Sequence, residues 1–272
     1  FRADGEESLQ KFGEAFYRDY AANPSAKMTF GALRFLKSPV SEIPGSHENF
    51  KKIKMPEIAA WLSPILKGAY MEISIVGDIS EDDAAAAVAK TFGALPPRER
   101  SKKNPFAEIA RAPEGENASL EYLTKDEPRS VAAKLWISGG RQDIRKMRAA
   151  NVLSGVFDDV LRKDVREAEG KVYSPFAYNS PSTWIKGYGL LIGATFVAPE
   201  YNAEILGLIE KCAQKTAKSI TADEFERAKI PLLKEVEANM RKNSYWLEAV
   251  LNLCQAKPLN IEMAKTVKSG YA

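Results

Sequence analysis

The sequence has too few histidines and cysteines for most metal-dependent and covalent catalysis. His47 is the only histidine among 272 residues, and Cys212 and Cys254 are the only cysteines. A peptidase zinc site needs two histidines on one helical turn together with a carboxylate, so the sequence argues against a hydrolytic zinc site within this chain. A serine or cysteine protease would have to use the same histidine. We interpret His47 as a solvated loop residue and both cysteines as packing residues.

The chain also lacks long apolar runs and an excess of either charge. No stretch approaches the ~18 consecutive apolar residues of a membrane-spanning helix. Lys and Arg number 39 and Asp and Glu number 36, and no aromatic-interleaved basic strip points to nucleic acid. No phosphate-binding glycine loop occurs either. The chain starts at Phe1 without an initiator methionine or a leader pattern, which predicts a mature product or an excised fragment.

The composition is that of an ordinary globular protein, with 45% hydrophobic and 28% charged residues. A chain of this length suggests about two domains. Proline and basic residues cluster between the two halves, as is typical of an exposed linker. We therefore predict one domain over residues 1–97, a linker over 98–116 and a second domain over 117–272.

Each predicted domain contains both helices and strands. Ser80 with Asp83, and Thr221 with Glu224, form capping boxes that mark the start of two helices. We predict an α+β fold: two α/β-sandwich units of mostly antiparallel sheet, with helices packed on one face of each sheet. The predicted strands include 71–76, 131–137, 173–178 and 188–197, and the predicted helices include 8–20, 55–66, 80–92, 144–161 and 202–215.

One constellation of residues has functional interest. Arg166 lies in the last turns of a predicted helix and Tyr173 at the start of the next strand, so both can face one cleft. A guanidinium fork and a phenol hydroxyl would together suit a peptide backbone or a developing oxyanion. On the pattern alone, we favour the structural interpretation, in which Arg166 stabilises the helix C-terminus and Tyr173 packs on the sheet.

Three segments, 72–96, 161–175 and 221–229, together resemble the insulinase/pitrilysin family of zinc metallopeptidases, the inverzincins. Their order and separations match the family, and the resemblance covers nearly the whole chain. Residues 231–233 and 243–246 further resemble the C-terminal half of bacterial zinc-protease members.

The resemblance implies a half-clamshell fold and a role in peptide cleavage. In this family two homologous halves close around an unfolded peptide, and the N-terminal half carries the H-x-x-E-H zinc motif. Since this chain lacks that motif, the resemblance implies a fragment of the metal-free C-terminal half, with its first unit truncated. Arg166 and Tyr173 would contact the substrate, and zinc would belong to a homologous half in the same or another chain. The branch it resembles suggests a periplasmic or secreted location.

Two alternatives stay open at this point. The chain could be part of a catalytically inactive homologue that acts as a structural or partner-binding subunit, as the respiratory-complex core subunits of the family do. A self-contained enzyme of unrelated type would need a site that the sequence does not reveal. Under the leading hypothesis, this chain alone is inactive and binds substrate for a zinc endopeptidase.

Overall fold

The structure, a computed structural model, describes residues 1–2, 4–28, 46–99, 130–166, 172–182, 187–252, 254–255 and 258–271. The chain divides into two compact units. Unit 1 combines Phe1–Ala59 with Pro105–Ala228, and unit 2 combines Ala60–Asn104 with Lys229–Ala272. Most of the predicted linker, 98–116, lies outside the described residues, so the domain division at that linker stays a prediction.

The described elements confirm the predicted α+β class. Short 3₁₀ turns and one π-helical segment, Tyr245–Val250, complete them. None of the helices in the described part of the chain is long and apolar enough to cross a membrane. The helices are α1 (Gly5–Ala22), α2 (His47–Lys52), α3 (Met55–Gly68), α4 (Glu81–Lys90), α5 (Ile144–Arg166), α6 (Asn202–Lys218), α7 (Ala222–Asn239) and α8 (Leu259–Lys265), and the strands are β1 (Ser130–Ile137), β2 (Val172–Pro181) and β3 (Gly189–Val197).

In unit 1, the described residues form a three-stranded antiparallel sheet in the order β1-β3-β2. Helices α5 and α6 pack on one face of this sheet. Phe157 of α5 and Ile209 of α6 both lie against Gly193 of the central strand, and Phe157 meets the Trp136 ring edge-to-face at 5.6 Å. Sheet and helices thus share one core, whose buried members are Ala132, Phe157, Val160, Leu161, Val165, Val197, Ile205, Ile209 and Cys212.

The predicted capping box of Thr221 and Glu224 is complete, whereas Ser80 and Asp83 show its N-cap bond. The Thr221 hydroxyl accepts from the Glu224 N–H at 3.2 Å, while a Glu224 carboxylate oxygen accepts from the Thr221 N–H at 2.9 Å. The Ser80 hydroxyl likewise accepts from the Asp83 N–H at 3.1 Å, and it donates to the Asp83 carboxylate at 2.7 Å. Each N-cap hydroxyl thus satisfies a backbone donor that the first helical turn would otherwise leave unpaired, which explains where α4 and α7 begin.

The prediction of a solvated loop for His47 was wrong. His47 is the first residue of α2, where Ser46 provides the N-cap. Its ring stacks on Tyr17 of α1 at 4.7 Å between centroids, and its Nε2 atom is buried. The glycine and proline residues before it indicated a loop, but the serine cap and the aromatic side chains of α1 fix the conformation of the histidine.

In unit 2, the prediction of a half-buried strand over residues 71–76 was also wrong. Within the described part of the chain these residues pair with no strand. Burial does alternate along the segment, but in the opposite sense: Ile73 and Ile75 are exposed, whereas the Ser74 hydroxyl donates to the Leu251 carbonyl oxygen and Glu72 accepts from the Gln255 N–H. Alternation therefore indicated which residues share a side, but not which side is packed.

Candidate functional site

The two candidate residues belong to unit 1 and lie on the consecutive elements α5 and β2. Arg166 is the last residue of α5, and Tyr173 is the second residue of β2. The Tyr173 side chain is 50% exposed. The side chain of Arg166 lies outside the described residues, so its approach to Tyr173 stays a prediction.

Tyr173 belongs to a cluster of aromatic side chains on the sheet, which we call the aromatic face: Tyr173, Phe176, Tyr178 and Phe196. Tyr173 pairs with Phe196 across the β2–β3 ladder, and paired residues share a face of the sheet. The Phe176 ring lies 6.1 Å from Tyr178 and 6.4 Å from Phe196, measured between centroids. Phe176 pairs with Ala194. The neighbouring residue of β3, Gly193, lies against α5 and α6, and adjacent positions of a strand face opposite sides of the sheet. The aromatic face is thus opposite the helices.

A β-bulge is what places Tyr173 on this face. Tyr173 pairs with Phe196 and Phe176 pairs with Ala194, so Ser174 and Pro175 together oppose the single residue between those partners. In a regular strand, side chains three residues apart point to opposite faces. The extra residue of the bulge offsets this alternation by one position, and Tyr173 and Phe176 therefore lie on the same side of the sheet.

Side chains from α5 hold the outer edge of β2. A carboxylate oxygen of Asp158 accepts from the Ala177 N–H at 2.8 Å, and the other accepts from Arg162 at 2.7 Å. Farther along the strand, the Asn179 amide donates to Asn151 at 2.8 Å. These contacts hold β2 against α5, so the strand that carries most of the aromatic face is fixed by side chains of the helix.

The aromatic face offers phenol hydroxyls as hydrogen-bond donors. Burial raises the pKa of the Tyr178 phenol, so this hydroxyl stays a neutral donor near pH 7. The Cys212 thiol is 1% exposed, and burial, reinforced by the Asp164 charge, raises its pKa to about 11. A thiol that remains protonated is a poor nucleophile. Among the described residues, no group of three or more His, Cys, Asp or Glu could hold a metal ion.

Sequence reasoning found Tyr173 but missed its three aromatic neighbours. Phe176, Tyr178 and Phe196 fall within the predicted strands 173–178 and 188–197, but no functional role is predicted for them from the sequence. A signal was present in the dipeptide Ser174-Pro175, since proline cannot donate to a ladder and often marks a bulge within a strand. With that bulge, the residues at 173, 176 and 178 align on one face.

Comparison with known proteins gives a family match over more than half of the chain. The model for the peptidase M16 inactive domain matches residues 52–232. This stretch includes the α5–β2 connection and the aromatic face. A comparison with the curated proteins finds no match.

Solved structures share the fold at low sequence identity. The periplasmic protease PqqL from Escherichia coli is 17% identical with a TM-score of 0.66, over 97% of this chain and 30% of PqqL. A peptidase M16 inactive domain from Pseudomonas fluorescens is 20% identical with a TM-score of 0.66, over 100% of this chain and 67% of that one. A chain of complex III2 from Candida albicans is 15% identical with a TM-score of 0.61, over 98% and 68% respectively.

This chain spans less than a third of the length of PqqL. These likenesses agree with the half-clamshell fold expected from the resemblance. Together with the match over residues 52–232, they establish that the chain belongs to the peptidase M16 family, of which it contains the inactive domain.

Proposed function

We propose that this chain is the substrate-binding, metal-free portion of a zinc-dependent endopeptidase that acts on unfolded peptides. The observation that carries the proposal is the aromatic face, on which the half-exposed Tyr173 lies at the start of β2. This face lies within the part of the chain that matches the inactive domain of a peptidase family. Its role would be to hold the peptide while another half cleaves it.

The chemistry of the face fits an extended peptide. Aromatic rings offer large, rigid contact areas for side chains, and phenol hydroxyls can donate to peptide carbonyl groups. Tyr173 and Tyr178 supply both features, with 50% and 37% of their surfaces exposed. An unfolded segment can present its side chains and backbone to such a face, whereas most of these groups are buried or paired in a folded protein.

The residues of this chain do not fit zinc. His47, the single histidine, is stacked on Tyr17, and no cluster of ligand residues occurs in the described part of the chain. A homologous half, in the same or another polypeptide, would bring the metal and the attacking water. The contribution of Arg166 and Tyr173 would be to orient the peptide or to donate hydrogen bonds to the tetrahedral intermediate.

The experiment measures cleavage of fluorescein-labelled β-casein in the presence of zinc. The chain is assayed alone and then mixed with a candidate zinc-bearing half. We expect turnover only in the mixture, with a loss of about tenfold for Tyr173→Phe if its hydroxyl bonds a developing charge. Tyr20→Phe, on α1, is the matched control and should retain full turnover. Undiminished turnover with both Tyr173→Phe and Arg166→Ala would refute the proposed role.

A second candidate function is a structural or partner-binding subunit of a catalytically inactive assembly. The likeness to a chain of complex III2 favours it, because that neighbour is part of a complex. The mixture assay separates the two functions. A stable complex with the second half, without cleavage and without binding of casein, would favour the structural subunit.

We also propose a periplasmic or secreted location. The support is the likeness to a periplasmic protease. Fractionation of cells that make the complete protein tests this location: recovery with periplasmic or extracellular markers is expected, and recovery with cytoplasmic markers would contradict it.

A further inference from the structure

Thr195 is a buried polar residue whose hydroxyl reaches the bulge beneath Tyr173. It lies on the central strand β3 and is 0% exposed. Its hydroxyl lies 3.1 Å from the Tyr173 carbonyl oxygen and 3.3 Å from the Phe196 carbonyl oxygen. A buried hydroxyl without a partner would be costly, so the bond to Tyr173 has a clear energetic role.

The position of Thr195 in the ladder is specific. It is the residue of β3 that the bulge of Ser174 and Pro175 opposes, because it lies between the partners of Tyr173 and Phe176. A bulge interrupts the regular ladder and can leave backbone groups without a strand partner. The Thr195 hydroxyl supplies a donor at this interruption, from a side chain that the core holds in place.

Ser174 shows that this conformation has a local cost. Its φ angle is 50°, in the left-handed region that side chains other than glycine seldom adopt. Ser174 is exposed and Pro175 is buried. The bulge therefore persists because the surrounding contacts determine it, and the Thr195 hydroxyl is one of those contacts.

We infer that Thr195 is a positioning residue: by holding the bulge, its hydroxyl sets the place of the Tyr173 side chain on the aromatic face. The effect of this positioning on peptide binding rests on the proposed function. Thr195 itself lies in the core and does not touch the substrate. The bulge would determine whether the Tyr173 phenol is presented beside Phe176 or turned away from it.

The test replaces the hydroxyl without changing the size of the side chain. Thr195→Val removes the donor, and Thr195→Ser keeps it. Thr216→Val is the matched control, because Thr216 is also buried, at 4% exposed, and its hydroxyl donates to the Cys212 carbonyl oxygen within α6. Any general effect of losing a buried hydroxyl should appear in both valine variants.

Two readouts separate this inference from the proposed function. The rate at which tetranitromethane nitrates Tyr173, relative to Tyr178, reports the placement of the phenol without any substrate. The affinity for fluorescein-labelled β-casein reports binding. We expect Thr195→Val to change the relative nitration rate and to weaken casein binding by about fivefold, with recovery in Thr195→Ser and no effect in Thr216→Val.

The inference is overturned if Thr195→Val and Thr216→Val give the same nitration rates. If instead the nitration rate changes but casein does not bind the unchanged chain, Thr195 still positions Tyr173 and the proposed function is refuted. If Thr195→Val does not fold, two substitutions at the exposed Ser174 test the inference instead. Ser174→Gly should keep the bulge and the nitration rate, whereas Ser174→Val disfavours positive φ and should change that rate. Equal rates for this pair would also overturn the inference.

Discussion

Phe157 lies directly against the backbone of Gly193. A Cβ atom built on Gly193 would come within 2.5 Å of the Phe157 ring. The absence of a side chain at this position of β3 is therefore what allows α5 to approach the sheet closely. Because Phe157 is 1% exposed and belongs to the main core, the ring has little room to yield.

Gly193→Ala should destabilise unit 1 by about 2 kcal/mol through overpacking. The measurement is urea unfolding followed by circular dichroism. Gly207→Ala is the control: it lies within α6 with nothing within 4 Å of an added Cβ, and should raise stability by about 0.5–1 kcal/mol, as alanine favours a helix. An unchanged free energy of unfolding for Gly193→Ala would mean that the Phe157 ring can move aside without an energetic cost.

The two cysteines should differ in reactivity. With a pKa raised to about 11, Cys212 has very little thiolate at pH 8, and it is buried as well. Burial also raises the pKa of Cys254, with a further contribution from Glu72, but Cys254 is only half-buried. Iodoacetamide should therefore modify Cys254 first in the native protein and both cysteines in urea. Faster modification of Cys212 in the native protein would contradict its placement in the core.

The raised pKa of Cys212 also predicts a pH dependence of stability. The folded state favours the protonated thiol, so its contribution is fully present below the ordinary thiol pKa of about 8.5 and is lost as the pH rises toward 11. Urea midpoints should fall between pH 9 and 11, and less steeply for Cys212→Ala than for Cys254→Ala. If the urea midpoint falls equally with pH in the two variants, groups other than Cys212 cause the loss of stability.

Trp246 contributes to unit 2 through a specific hydrogen bond. Its indole N–H donates to the Met240 carbonyl oxygen at 2.8 Å, and the ring is half-buried. Trp246→Phe keeps an aromatic ring but removes the donor, and should cost about 1 kcal/mol in chemical denaturation. Trp61→Phe is the control, since Trp61 is 68% exposed, and should change stability by less than ~0.5 kcal/mol. Equal effects of the two substitutions would show that the hydrogen bond contributes nothing.

The backbone of residues 71–76 should exchange its amide hydrogens quickly. The segment has no ladder partner within the described part of the chain, and amides without such bonds are poorly protected. Residues 190–196, in the central strand, provide the internal comparison. Hydrogen exchange followed by mass spectrometry measures both segments in one experiment. Comparable protection in the two would mean that 71–76 is paired in solution.

The elements that were predicted correctly are those whose signals lie within the element itself. The apolar spacing of α5 and the capping box of Thr221 and Glu224 depend on residues three or four positions apart, and the structure confirms both. The class of the fold followed from such local patterns together with the family resemblance.

The features that escaped prediction depend on partners distant in sequence. Residues 71–76 alternate as a strand does, but pairing requires a neighbour that local periodicity cannot specify. The aromatic face likewise depends on the bulge at Ser174, which shifts the phase of one strand against another. His47 lies 30 positions after Tyr17, whose ring it stacks upon. In each case the decisive contact is tertiary.

The strand order β1-β3-β2 has a consequence for how the sheet assembles. Pro181 and Gly189, the nearest pair of the β2–β3 hairpin, are close in sequence, whereas Ile137 and Leu190, the nearest pair of β1 and β3, are separated by the whole of α5 and β2. Closing the longer loop costs about 2 kcal/mol more in chain entropy. We therefore expect the β2–β3 hairpin to form early in folding and β1 to dock later. Substitutions in β1 should then speed unfolding more than they slow folding, because its contacts form after the transition state.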